Sequence, residues 1–421
     1  MCDTLYKKTD TGYLFAKNSD RSPNEPNLSL FIPAALWQDE SLACTYISIP
    51  QVKQTYGCII VRPSWTWGAE MGVNDQGVTI GNEAVFTRAK NKKKPSLIGM
   101  DYVRLVLERA ENARKGVEII TELLSIYGQG GNCGFDKPFY YDNSYLIADR
   151  NEAWILETAG KAWVAKPIAD YGNISNRLSI RTEATQGSQD VKKDFYRHNV
   201  EPLFTHFSCS LSRRRFGENG LALLEKDDFF GLRQLMQSHH PDDENTLFTK
   251  GSLRSLCMHR SVLGDHTTAS MVVKVEGGEM SLMLTSASTP CLSLFKPAFL
   301  DAHTGIVFDD ETSAYGYWLR QEKIRRCLYA GRIDLKDYRL RLHQAQAEID
   351  KLGEGFHASR AKEDRENLVA NCLEIEERFL KPYMQIATSI TGLSQPKLWR
   401  NKNKKLDANV FSRELAARSG K

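Results

Sequence analysis

Up to residue 305 the apolar positions follow two interleaved patterns. Short β-rich runs at Tyr13–Lys17, Tyr56–Arg62, Val78–Gly81, Ser144–Ala148 and Ala153–Glu157 predict strands. Ala269–Val275 and Met280–Ser286 flank Gly277-Gly278 and read as a hairpin with a slightly longer loop. Between these runs lie two helical patterns. Met100, Val103, Leu107 and Ala110 recur three and four residues apart, as do Val117, Ile120, Leu124 and Tyr127. Gly128-Gln129-Gly130-Gly131-Asn132 then ends the second helix. From about residue 310 the character changes. Thr312 to Leu352 is rich in Arg, Lys, Glu and Gln with apolar residues at helical spacing, and residues 361–390 repeat that style after Gly353–Gly355. The expected organisation is a domain over 1–305, two or three amphipathic helices packed on it over 306–394, and a basic tail over 395–421.

Composition narrows the function classes. The chain has 421 residues, 26% of them charged and 41% hydrophobic, with a formal net charge of only +4. That is ample to bury a core, and too weakly basic for an electrostatic footprint on nucleic acid. No run approaches the ~18 apolar residues of a membrane span, and residues 1–8 lack the apolar stretch of a signal peptide. Nine widely spread cysteines form no C-x-x-C pair. This argues against a disulfide framework and a structural zinc site and fits a reducing cytosol. The nine histidines show no H-E-x-x-H spacing, so neither a metal nor another cofactor is expected. Homo-oligomerisation is left open.

The chemistry concentrates at the amino terminus. Removal of Met1, which a small second side chain permits, leaves Cys2 with a thiol and a free α-amine on one residue. An unperturbed α-amine titrates at ~7.7–8.0 and a thiol near ~8.5, so the pair supplies a nucleophile and its own general base. Lys17 and Arg21 are candidate cations to stabilise the thiolate, if the 13–17 strand pairs with an amino-terminal strand. Asn82, in Gly81-Asn82-Glu83, and Asn176, in Ile174-Ser175-Asn176-Arg177, offer N–H donors for an oxyanion.

Cys2-Asp3-Thr4, Lys17-Asn18-Ser19-Asp20-Arg21, Trp67-Gly68-Ala69-Glu70-Met71-Gly72-Val73-Asn74 and Ile80-Gly81-Asn82-Glu83-Ala84-Val85 resemble secernins, of the cysteine dipeptidase family of N-terminal nucleophile (Ntn) hydrolases. The likeness continues through Gly99–Leu105, Gly128–Cys133, Leu156–Lys161, Cys257-Met258-His259 and Thr267–Val272. It implies an α+β fold, the αββα four-layer sandwich, with a C-terminal helical extension and Cys2 at the end of a central strand. It also implies that Asp20 orients the α-amine, that Asn82 and Asn176 lie by the oxyanion, and that an arginine approaches the nucleophile, for which Arg215 of Arg213-Arg214-Arg215 is chosen. Relatives carry Arg where Lys17 stands, which retains charge and loses the planar fork. Glu70 and Glu83 are candidates to anchor the amine of a peptide, with Lys17 and Arg21 beside them.

Plainer readings stand beside these. Asp20 and Asn82 suit turns, Glu70 and Glu83 suit structural ion pairs, and His259 and His266 suit a core or a strand end. The expected function is a cysteine-type exopeptidase or dipeptidase acting on small peptides through a thioester. The alternatives are a non-catalytic binding module on the same fold, and an acylase for non-peptide amides.

Overall fold

The computed structural model describes residues 1–90, 92–188, 193–260, 265–277, 279–353 and 361–389. The predicted basic tail, Gly278 of the hairpin and Gly355 lie outside the described residues. Six strands form one sheet, in the order Tyr171–Ser175, Cys2–Lys8, Gly12–Arg21, His266–Glu276, Glu279–Leu284, Lys296–Ala298. Eight form a second, in the order Gln186–Gly187, Ala162–Ile168, Ala153–Ala159, Asp142–Ala148, Thr79–Val85, Met71–Asn74, Cys58–Pro63, Asn27–Ile32.

The two-residue period of each strand decides what each sheet presents. Tyr6, Tyr13 and Phe15 of the first sheet share one core with Val73, Leu146 and Ile155 of the second, and the Tyr13 hydroxyl reaches Thr79 Oγ1 at 2.6 Å across the gap. The sheets are therefore packed face to face. On the far side of the second sheet, helices Gly99–Arg109 and Ala113–Tyr127 bury Val103, Leu107, Ile120 and Leu124 against Ile80, Tyr145 and Ile147. On the far side of the first, Ser210–Leu223 and Phe229–Met236 bury Leu221, Leu232 and Met236. The result is the expected αββα sandwich.

Several strands run further than local propensity predicts. Gly12–Arg21 continues through Asn18 and Ser19, paired to both Cys2–Lys8 and His266–Glu276, and through Asp20 and Arg21 against His266–Glu276. Thr79–Val85 likewise continues through Asn82-Glu83 against Asp142–Ala148. Pairing to neighbouring strands outweighs the weak strand preference of Asn and Asp.

Helices Glu311–Tyr329, Leu335–Gly353 and Lys362–Ser389 follow. Ile324, Tyr338, Leu342, Cys372 and Leu380 join the same core as the six-stranded sheet. A buried pair, Lys296 Nζ to Glu376 Oε1 at 2.5 Å, ties the last helix to the edge strand. Arg326 reaches the carbonyl of Pro23 at 2.6 Å, just beyond the strand that ends at Arg21. None of the described helices is long and apolar enough to cross a membrane.

Candidate active site

Cys2 opens the Cys2–Lys8 strand, opposite Ser19 of its neighbour, and is 5% exposed. Alternation sends Cys2, Thr4 and Tyr6 toward the gap between the sheets and Asp3, Leu5 and Lys7 toward helix Ser210–Leu223. The contacts agree: Thr4 Oγ1 donates to Glu83 Oε1 at 2.5 Å, whereas Lys7 Nζ donates to Leu221 O at 2.7 Å. The sulfur therefore lies among polar groups. Its thiol donates to Glu70 Oε2 at 3.6 Å, and the main-chain N–H of Asp20 donates to Sγ at 3.3 Å. Burial pushes the thiol well above its ordinary range; Lys17 opposes that shift, and Glu83 and Glu70 add to it.

Lys17 is buried and crosses the gap over Gly81. Its ammonium donates to Asn82 O at 2.7 Å and lies 3.3 Å from Glu83 Oε1. Burial disfavours this charge, but Cys2, Glu83 and Glu70 outweigh that and hold the ammonium protonated. Gly81 is required there, since a Cβ would meet Lys17 Cδ at 2.4 Å. Arg21 is fully engaged: it donates to Glu25 Oε1 at 2.5 Å, Glu70 Oε1 at 3.1 Å and the Cys133 carbonyl at 2.9 Å. The structure thus gathers Lys17, Arg21, Glu70 and Glu83 near one another, with each paired inside the protein. Glu70 alone of the four hydrogen-bonds the sulfur.

The Cys2 nitrogen has its own holder. It donates to Asn176 Oδ1 at 2.7 Å, and Arg213 donates to the same oxygen at 2.7 Å. Two donors on one atom identify it as the amide oxygen. Arg213 is itself fixed by Asp3 Oδ2 at 2.7 Å and Ser175 Oγ at 3.1 Å. The arginine brought to Cys2 is therefore Arg213. Arg215, the residue chosen from sequence, is exposed, because it lies two positions on along a helix whose inward face carries Arg213, Gly217 and Leu221. That i, i+4, i+8 spacing follows the face that the helix turns inward once it is packed.

Each of the two asparagine side chains expected by the oxyanion donates one amide N–H inside the protein. Asn176 spends Nδ2 on Ala84 O at 2.9 Å. Asn82 lies between Gly81 and Glu83, so its side chain leaves the opposite face and donates to Asn143 Oδ1 at 3.0 Å. Asp20 sits close by: Oδ1 accepts from Thr267 Oγ1 at 2.6 Å, while buried Oδ2 has no hydrogen-bond partner. Burial raises its carboxyl well above the usual range, and the amino-terminal charge pulls it back. Met1 N donates to Asp20 O at 2.9 Å and pairs with Asp265 Oδ2 at 2.6 Å.

Comparison with known proteins adds the following. Residues 37–204 match the model of peptidase family C69, a span that contains Glu70, Asn82, Glu83 and Asn176 and starts after Cys2 and Asp20. A Lactococcus lactis subsp. lactis (strain IL1403) protein, "Probable dipeptidase B", is 27% identical over 165 residues, 34% of this chain and 33% of that one. The match thus spans a third of that relative's length. A C2A mutant of the conjugated bile acid hydrolase from Clostridium perfringens aligns over 74% of this chain and 99% of its own, at 12% identity and a TM-score of 0.41. Penicillin V acylase from Agrobacterium tumefaciens aligns over 71% and 86%, at 11% identity and a TM-score of 0.36.

Proposed function

From the match of residues 37–204 to peptidase family C69, we propose that the chain is a member of that family and hydrolyses amide bonds in small peptides with Cys2 as an N-terminal nucleophile. One observation carries the reading: the Cys2 nitrogen is already held at 2.7 Å by a buried amide oxygen, with its sulfur set between the Glu70 carboxylate and the Asp20 N–H. Cleavage of the peptide bond before Cys2 converts that nitrogen into an α-amine and vacates the space Met1 fills beside Asp20, Asp265 and Arg213. Asn176 Oδ1 then accepts from the amine, and Asp20 lies nearby with a carboxyl oxygen that has no hydrogen-bond partner.

The chemistry follows from these placements. The amine takes the thiol proton, and the Lys17 ammonium together with the Asp20 N–H stabilises the thiolate. Sulfur attacks the scissile carbonyl, the ammonium protonates the departing nitrogen, and water hydrolyses the thioester with the amine again as base. Arg213 acts at one remove, by fixing Asn176. The likeness of residues 2–21 to secernins, which the family match does not reach, and the preference for dipeptides form part of the same proposal.

The test is a dipeptide hydrolysis panel run on protein whose intact mass shows a free Cys2. Turnover is expected for that form, and Cys2→Ala is expected to lower it on the order of 10⁶-fold, the scale of removing a covalent nucleophile, with an unchanged circular dichroism spectrum. A form retaining Met1 that turns over as fast as the processed form would refute the mechanism. A processed form inert to the panel and to thiol-directed acylating electrophiles would favour the binding module instead.

A further inference from the structure

Away from Cys2, four side chains that are scattered in sequence meet at one point. His239 follows helix Phe229–Met236, Cys257 and His259 lie on the segment before the His266–Glu276 strand, and Cys291 lies in a short turn of 3₁₀ helix at Pro290–Leu292. One ligand atom from each, two imidazole nitrogens and two sulfurs, lies within 4.8 Å of every other. We propose that His239, Cys257, His259 and Cys291 form a structural zinc site.

The spacing fits the ion. Zn–S bonds of about 2.3 Å and Zn–N bonds of about 2.0–2.1 Å put tetrahedral ligand atoms about 3.3–3.8 Å apart. His259 Nε2 lies 3.2 Å from His239 Nε2 and 3.2 Å from Cys291 Sγ. Hydrogen bonding alone serves this convergence poorly, because a neutral imidazole carries a single N–H and His259 meets a third polar atom on its other nitrogen. That atom is the Tyr329 hydroxyl, 2.9 Å from Nδ1, while Glu244 Oε2 lies 3.8 Å from His239 Nδ1. Both rings therefore aim Nε2 inward and Nδ1 at an oxygen, which is the way metal-bound histidines are oriented by their outer partners. Cys257 and His259 are fully buried, and His239 and Cys291 are half-buried. Four protein ligands of the S₂N₂ kind select zinc and leave no open position for catalysis.

The site explains what holds this corner together. It joins the end of helix Phe229–Met236, the segment carrying Cys257 and His259, and, through Tyr329, the first C-terminal helix. It also lies one short relay from the nucleophile: Met258 N donates to Thr267 Oγ1 at 2.8 Å, and Thr267 Oγ1 donates to Asp20 Oδ1 at 2.6 Å.

The experiment uses the full chain, purified under reducing conditions without chelator, with metal content read by inductively coupled plasma mass spectrometry. About one zinc per chain is expected. Exchange with Co²⁺ is expected to give thiolate-to-metal charge-transfer bands and the visible bands of a tetrahedral ion. Cys291→Ser and His239→Gln are each expected to lower zinc content and move those bands. Should the variants fail to fold, the Co²⁺ spectrum of the unaltered chain still decides. Reduced protein that carries no zinc and gains no charge-transfer band overturns the proposal, as does a band unchanged in Cys291→Ser. Neither readout depends on peptidase activity.

Discussion

At the scale of single residues, the candidate site is a set of buried charges that hold one another. Arg213 and Arg215 make the sharpest contrast. Arg213→Met leaves the Asp3 carboxylate buried beside no cation and is expected to lose about 3–5 kcal/mol. Arg215→Met changes an exposed side chain and is expected to stay within about 0.5 kcal/mol. Urea denaturation of the two variants measures both. Glu83 supplies a pH dependence. Burial lifts its carboxyl to about 7, with Lys17 partly opposing the rise, against ~4.3 for an unfolded glutamate. The native state therefore binds the extra proton between those values. Its contribution to stability is full below the lower value and is lost as pH rises through about 7. Glu83→Gln removes that titration. The Tm of the unaltered chain relative to the variant is expected to fall as pH is raised across this window, and a constant difference would contradict the assignment.

At the scale of elements, the site is made by strand alternation and by close approach of the two sheets. Lys17 crosses to Glu83 only because Gly81 leaves room beneath it. Gly81→Ala is expected to destabilise by about 1–3 kcal/mol as the lysine is displaced, which thermal or urea unfolding would show. The same alternation sets where the Asn82 side chain points. The tripeptide Gly81-Asn82-Glu83 carries polar groups suited to a site, but whether the amide or its neighbours face the gap depends on strand register. The turn reading of Asp20 failed for a related reason: pairing to His266–Glu276 draws polar residues into a strand that their own preferences disfavour. The two helices with regular apolar spacing were legible because their periodicity records one buried face. Ser210–Leu223 was not, since Arg213 and Gly217 occupy its inward face where apolar residues would announce it.

For the whole molecule, the division is between what a local pattern encodes and what only distant packing creates. The sequence by itself determined the strand character of half of the two sheets, the two helices of one outer layer, the helical nature of the carboxy-terminal part, and the position of a thiol at residue 2. Each of these is a matter of periodicity or of covalent order, which a chain carries before it folds. Tertiary structure decided the rest. It chose Arg213 from three adjacent arginines and set Asn176 on the Cys2 nitrogen, 174 positions away. It also brought His239, Cys257, His259 and Cys291 to one point with no recognisable spacing between them. Such groupings arise when separate elements pack against a shared core, and the residues between the partners carry no trace of the distance that packing removes.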